Sequence, residues 1–260
     1  MNLILPKGDM KDYLDEMSDR YNNNSFIDDD PVSIPHLFTK KEDIEIAAFL
    51  TASISWGNRK AILKSAKRMM ELMDHQPYDF VLHHDRHDLK SLQNFVYRTF
   101  NGDDLKQFII SLQHIYVAHQ GLEVVFTDKM KNASNPQMAI HHFRTCFFES
   151  IVSQRTTKHV ADPLAGSSAK RLNMFLRWMV RRDKRGVDFG MWKHISPSQL
   201  SLPLDVHTGN IARKLGLLHR SQNDWKAVEA IDQVLREFDP NDPVKYDYAL
   251  FGLGAIGGFK

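Results

Sequence analysis

The chain has 260 residues, 42% of them hydrophobic and 25% charged, enough for one large domain or two modest lobes with a real core. A formal charge of +2 is too small to argue for a nucleic-acid partner by itself, although it permits a local basic face offset by acidic stretches. The single cysteine, Cys146, excludes an intrachain disulfide, a cysteine-ligated iron–sulfur cluster and a multi-cysteine zinc site, and it fits a reducing compartment.

The segment MNLILPKGDMKDYLDEM has a brief apolar start followed by charge, unlike a signal peptide or an anchor. No apolar run approaches the ~20 residues of a membrane span. A cytoplasmic protein without membrane contact is expected. A first helix is expected over 9–21, followed by a polar, proline-broken loop, NNNSFIDDDPVSIPH. Thr39-Lys40-Lys41-Glu42 has capping-box spacing and opens a deep helix with Ile44, Ala47, Ala48 and Ile54 inward. A bend is expected at Trp56-Gly57-Asn58. The next helix carries Ile62, Ala66, Met69, Met70 and Met73 on one stripe. A histidine-rich segment of weak periodicity follows Pro77. Helices are expected over 88–98, 103–118, 122–130 and 136–152. The 13 histidines include the pairs His83–His84 and His141–His142 but no HExxH, so neither a metal nor another cofactor is expected.

In the second half, Leu172, Phe175, Leu176 and Met179 make the apolar stripe of a helix over 171–182. Ser196-Pro197-Ser198-Gln199 and Ser221-Gln222-Asn223-Asp224 read as helix starts, the second running to about Phe238. Asp205 opens a helix over 206–215 that Gly216 ends. Asp242-Pro243 starts the last helix, which Gly252 or Gly254 ends. There is no tandem repeat, and no glycine-rich loop follows a strand-like run. The fold class expected is all-α.

Two stretches carry chemistry. In LAGSSAK (164–170), Gly166, Ser167 and Ser168 sit before a helix start, where backbone N–H groups can hold a phosphate. Lys170 follows at the first turn. Arg171 and Arg177 are expected to project away from the Leu172–Phe175 stripe, with Arg181, Arg182, Lys184 and Arg185 close by and Arg155 and Lys158 just upstream. That is a footprint for a polyanion or, more plainly, a solvated helix face. Asp205, in LPLDVHTGNIARKLGL, is on local grounds an N-cap. Beside an amine it gains a second use, because Schiff-base chemistry needs a lysine with some neutral population near an assisting acid.

The pair LAGSSAK and LPLDVHTGNIARKLGL resembles the helix-hairpin-helix (HhH-GPD) DNA glycosylase superfamily, most closely its 8-oxoguanine glycosylase branch. There a hairpin of pattern LPGVGxK ends in the catalytic lysine, and a VDVH-type motif carries the catalytic aspartate. The resemblance assigns those roles to Lys170 and Asp205, and phosphate holding to His207. AAFLTASISWGNRKAILK is similar to the first-lobe helix-turn-helix, which gives Asn58, and Arg59 beside it, the place of the residue that enters the duplex. In plain terms Asn58 is a turn residue. Ser168 stands where the family's second hairpin glycine would be, and the segment between lysine and aspartate is longer than usual. The stretches SFIDDDPVSIPHLF, ISWGNRKAI, KRLNMFLRWMVRRDKRGVDFGMW and LPLDVHTGNIARKLGLL also resemble, over nearly the whole chain, DUF2400, a bacterial family of uncharacterised proteins. That second resemblance implies no activity.

The glycosylase resemblance implies one HhH-GPD-like domain over 1–260, made of two helical lobes with a DNA-binding cleft between them. The first lobe would cover about 40–135, the second about 1–39 plus 136–260, with the helix-hairpin-helix near 150–182. It implies a monomer acting on double-stranded DNA that contains a damaged, perhaps oxidised, base or an abasic site. Asn58, Arg59, Gly166, Ser167, Ser168, Arg171, Arg177 and His207 would contact DNA. Trp178, Trp192 or Phe251 would stack on a flipped base. The activity implied is base excision by an N-glycosylase, with AP-lyase action through a lysine Schiff base. The alternatives are a non-catalytic DNA- or RNA-binding protein that retains the scaffold, and a helical structural protein with Lys170 in solvent.

Overall fold

The computed structural model describes residues 5–150 and 153–256. In chain order the helices are α1 (Lys7–Tyr21), α2 (Ser25–Asp29), α3 (Lys41–Ser53), α4 (Arg59–Leu72), α5 (Pro77–His83) and α6 (Arg86–Ser91). A two-stranded hairpin follows, β1 (Val96–Tyr97) and β2 (Phe100–Asn101). Then come α7 (Gly102–Ala118), α8 (Leu122–Met130), α9 (Gln137–Phe147), α10 (Lys170–Val180), α11 (Val206–Lys214), α12 (Trp225–Phe238) and α13 (Tyr246–Phe251). Apart from that hairpin and an isolated bridge, the described residues are helical or irregular, so the chain is predominantly α-helical. They divide into two compact units, one of residues 27–129 and 139–161, the other of 1–26, 130–138 and 162–260. The segment 150–182 is thus shared between the two units.

In the 27–161 unit, α3 is buried along its length from Ile44 to Ser53, as its apolar sequence demands. Its start is not the expected capping box. Lys40 is the N-cap and gives no side-chain cap bond. Phe49 of α3 stacks on Phe108 of α7 at 5.7 Å and meets Phe143 and Phe147 of α9 edge-on, each at 5.3 Å. The whole expected stripe of α4, Ile62 to Met73, is buried. The NNNSFIDDDPVSIPH segment is not a plain loop: it holds α2 and two 3-10 turns, the first capped by Asp30, which accepts the Val32 N–H at 3.1 Å. Pro77 opens α5, where periodicity was too weak to show a helix. The helix expected over 88–98 stops early. Phe95 and Tyr97 are buried while Val96 is 66% exposed, the two-residue alternation of a strand. The last helix of this unit ends at Phe147; residues 151 and 152 of the expected span lie outside the described residues.

In the other unit, Val228, Ile231, Leu235 and Phe238 form the buried stripe of α12, each worth ~1.5–3 kcal/mol of burial. Its cap is Asp224, which accepts the Ala227 N–H at 3.0 Å, rather than Ser221. Ser196 and Gln199 do form a capping box, although only one 3-10 turn follows. α1 lies along α13, and Ser18 Oγ donates to the Lys245 carbonyl at 3.1 Å. Gly252 does not end the last helix, which runs on as a π-helical turn to Ile256. A Cβ at Gly252 would stand 2.2 Å from the Tyr21 ring, so this glycine permits close packing of the two ends.

Candidate functional site

The hairpin before α10 is fixed by its own hydrogen bonds. Gly166 N–H donates to Pro163 O at 3.0 Å and Ser167 N–H to Asp162 O at 3.3 Å. Ala169 N–H donates to Ser167 Oγ at 3.2 Å, and Trp225 N–H comes in to Gly166 O at 3.0 Å. The Gly166 and Ser167 N–H groups, expected to grip phosphate, are therefore engaged within the protein, which corrects that part of the expected phosphate grip. Ser168 donates its hydroxyl to Leu204 O at 3.3 Å and accepts from the buried Asn173 Nδ2 at 3.0 Å on its carbonyl. Gly166 has φ +92, and the N-cap of α10, Ala169, is itself left-handed at φ +46. This strained entry sets the direction in which the first residue of α10, Lys170, leaves the helix.

The Ser168–Leu204 bond ties the hairpin to the residue just before Asp205. Asp205 is the N-cap of α11, its Oδ1 accepting the Thr208 N–H at 2.9 Å, and Gly216 at φ +74 follows the helix end as expected. The other carboxylate oxygen, Oδ2, faces Lys170 Nζ at 3.8 Å. The two side chains retain 25% and 22% exposure, so the pair is reachable from solvent without lying in it. At 3.8 Å the amine is held by charge and not locked in a hydrogen bond. One acid thus starts a helix and faces an amine 35 residues away in the chain.

Sequence reasoning missed the residues that set this acid. Asn223 Nδ2 donates to the Asp205 carbonyl at 3.0 Å, and its Oδ1 accepts from Arg213 Nη2 at 2.6 Å. Gly209 makes room for that contact, since a Cβ there would stand 2.7 Å from Asn223 Oδ1. Reading Asn223 as part of a helix-start cluster hid this role. His207, by contrast, is exposed on the first turn of α11 beside Gly254.

Behind Lys170, α10 is buried on every side from Leu172 to Val180. This corrects the outward placing of Arg177, which is 3% exposed. Its Nε donates to Asp188 Oδ1 at 3.3 Å, its Nη1 to Asp247, and its guanidinium lies 4.4 Å over the Tyr248 ring. Arg181 is buried too, bound to Asp183, Asp188 and Asp242. Arg171 is half-buried, and desolvation pushes its guanidinium down to about 10. Burial pushes the Asp247 carboxyl up to about 6, partly opposed by Arg177 and Lys170. Asp183 and Asp188 reach these arginines because the 183–204 segment folds onto α10. Phe189 and Trp192 N–H groups donate to the Trp178 and Met179 carbonyls at 2.8 and 3.0 Å.

Trp178 and Trp192 are fully buried, and Trp192 packs edge-on against Phe175 at 5.4 Å. Both are core residues and not walls of a base pocket. Phe251 is half-buried, with its ring 6.1 Å from that of Phe26. Asn58 and Arg59 belong to the other unit, where Asn58 caps α4 by accepting the Ala61 N–H at 3.1 Å. Among the described residues, no group of three or more metal-ligand side chains gathers at Lys170 or Asp205. Nor is any described helix long and apolar enough to cross a membrane.

A family model described as "Protein of unknown function (DUF2400)" matches residues 30–256. The chain belongs to the DUF2400 family. No curated protein and no solved structure matches it. The DUF2400 match spans both the α3–α4 region and the Lys170–Asp205 pair, so the pair lies inside the matched segment and not in an appendage.

Proposed function

We propose that this DUF2400 protein is a DNA base-excision glycosylase of the helix-hairpin-helix kind, with Lys170 as the amine nucleophile and Asp205 as the assisting acid. The observation that carries the reading is the 3.8 Å approach of Lys170 Nζ to Asp205 Oδ2, at the first turns of two separate helices. A bare N-cap requires no lysine opposite it.

In the reaction, the bond between the sugar C1′ and the damaged base breaks, and its electron pair leaves with the base, which takes up a proton. Lys170 Nζ first gives up a proton to solvent and then forms the new bond to C1′. Asp205, ionised, stabilises positive charge developing on the sugar. Opening of the sugar ring gives a protonated imine between Lys170 and C1′, and loss of a 2′ proton expels the 3′ phosphate. With Arg177 buried, the Gly166 and Ser167 N–H groups engaged and Arg185 bound to Asp19, DNA phosphates would fall to His207 and the exposed Arg182 and Lys184.

The test is borohydride trapping of the full chain on duplexes carrying 8-oxoguanine, uracil or an abasic site. The expected result is a covalent adduct that is absent in Lys170→Ala and weakened in Asp205→Asn. Trapping confined to the abasic duplex restricts the activity to lyase action. An adduct that survives Lys170→Ala, or no adduct on any of the three duplexes, overturns the assignment. Salt-sensitive binding without an adduct favours a non-catalytic nucleic-acid-binding protein.

A further inference from the structure

The unit of residues 27–129 and 139–161 holds a convergence of side chains unconnected with Lys170. His114 and His119 both aim Nε2 at one oxygen, Oε2 of Glu149, at 2.9 and 3.0 Å. Their ligand atoms all lie within 4.8 Å of one another. Helix periodicity does not produce this. Five residues along a regular helix turn the side chain ~140° from its start. His119 comes back beside His114 because α7 ends there: it is the C-cap, with φ −116 and ψ 11. Its N–H still reaches Ile115 O at 3.1 Å, and Gln120 and Gly121, at φ 62 and 105, turn the chain away behind it. The ring centroids stand 5.1 Å apart at 78°. Glu149 arrives from the turn after α9, where its N–H bonds to Cys146 O at 3.3 Å.

Two imidazoles on one carboxylate oxygen make a weak arrangement as ion pairs, since each exposed pair is worth ~0–1 kcal/mol and two charged rings would repel each other. They make a sound one around a cation. A divalent ion accepts lone pairs from two neutral rings and one carboxylate together. The two nitrogen–oxygen separations are close to the ~3.3 Å edge of a tetrahedron with ~2.05 Å bonds. We propose that His114, His119 and Glu149 bind one divalent transition-metal ion of the zinc class. Two nitrogens and one oxygen suit zinc, cobalt or nickel better than magnesium or calcium. Glu149, at 44% exposure, leaves the fourth position to water. The ion clasps the end of α7 to the turn after α9. Cys146 lies beside Glu149, whose side chain its thiol meets, but it is outside the ligand group: it is buried, and its Sγ rests 3.6 Å from His142 Nε2. The other close group, Asp85, His87 and Asp88, is the capping box of α6, which already accounts for its geometry.

The test uses the untagged full chain stripped with a chelator and titrated with Co2+, Zn2+ and Mg2+. The expected result is one equivalent of Co2+ bound with the visible absorption of a four-coordinate ion, displaced by Zn2+, with no binding of Mg2+. Added Zn2+ raises Tm. His119→Ala and Glu149→Gln weaken binding roughly tenfold or more, whereas His83→Ala, at a histidine paired only with exposed Asp79, leaves it unchanged. Circular dichroism verifies folding, and His119→Gln serves if His119→Ala does not fold. No binding at millimolar Co2+, or binding undiminished in the His114→Ala/His119→Ala double variant, overturns the proposal. A sulfur charge-transfer band lost in Cys146→Ser overturns the three-ligand assignment.

Discussion

Asp205 divides its carboxylate between two tasks: Oδ1 accepts the Thr208 N–H at 2.9 Å, and Oδ2 stands 3.8 Å from Lys170 Nζ. The two tasks separate by substitution. Asparagine caps a helix as well as aspartate but carries no charge, whereas alanine does neither. Asp205→Asn is expected to change unfolding free energy by less than ~0.5 kcal/mol, and Asp205→Ala to lower it by ~1 kcal/mol. Urea unfolding of both variants measures this. Equal losses in the two would show that the cap is not what Asp205 contributes to stability. On the proposed function trapping is weakened in both variants, so an Asp205→Asn protein that traps as well as wild type would remove the acid from the chemistry.

Asn223 acts on the site only through the Asp205 backbone, which makes it a positioning residue. Asn223→Ala deletes the donor to the Asp205 carbonyl and the acceptor for Arg213, and should cost ~1–2 kcal/mol. Gly209→Ala pushes on the same side chain from the other direction. The two substitutions break one contact, so the double variant should be less destabilised than the sum of the singles. A double-mutant cycle by urea unfolding checks this, and strict additivity would mean that Gly209 serves something other than Asn223.

The helices were largely legible because their stripes are periodic: Ile62 to Met73, and Leu172, Phe175, Leu176 and Met179, all end in the core. Asp205 with Gly216 also bounded α11 correctly. What failed had a common cause. Periodicity gives the buried face only where a helix has an exposed one, and α10 has almost none. Arg177 therefore looked like surface, because its buried partners Asp188 and Asp247 come from segments 11 and 70 residues away. The short strand at Val96 was missed because its alternation covers too few residues to compete with a helical reading. The Lys170–Asp205 proximity was suggested by the motif resemblance alone, since nothing in the spacing requires the 183–204 segment to fold back. The cluster at Glu149 was invisible for a related reason: His119 reaches it only through the backbone geometry of a helix end.

Asp232 sets a pH dependence. It is buried, accepts the Leu202 N–H at 3.0 Å and has Arg236 only at 3.6 Å, and burial pushes its carboxyl up to about 6 from 3.8. A folded pKa above the unfolded one means that the folded state holds the proton more tightly. Its contribution is therefore full below pH ~4 and is lost as pH rises through ~6. That rise corresponds to roughly 3 kcal/mol. Asp232→Asn has no such proton. The stability of the variant minus that of wild type should rise between pH 4 and 7 by a few kcal/mol, which also separates Asp232 from Asp247 titrating in the same range. A flat difference curve would show that Asp232 keeps its ordinary pKa in the fold.

Arg177 decides between two pictures of α10. As a surface cation it would tolerate removal within ~0.5 kcal/mol, and its loss would reduce the salt dependence of DNA binding. As the buried partner of Asp188 and Asp247 it is costly to remove, because Asp247 then loses its guanidinium in a dry core and Asp188 keeps only Arg181. Arg177→Met is expected to lower stability by ~3–5 kcal/mol at pH 7. The loss should shrink toward pH 5, where Asp247, already raised by burial, takes up a proton and no longer needs the guanidinium. Arg177→Met combined with Asp247→Asn should recover more than ~1 kcal/mol of it by removing one orphaned charge. Denaturant unfolding at the two pH values reads all three effects. A small, pH-independent loss with a reduced salt slope in DNA binding would return Arg177 to the surface and restore it to the nucleic-acid footprint.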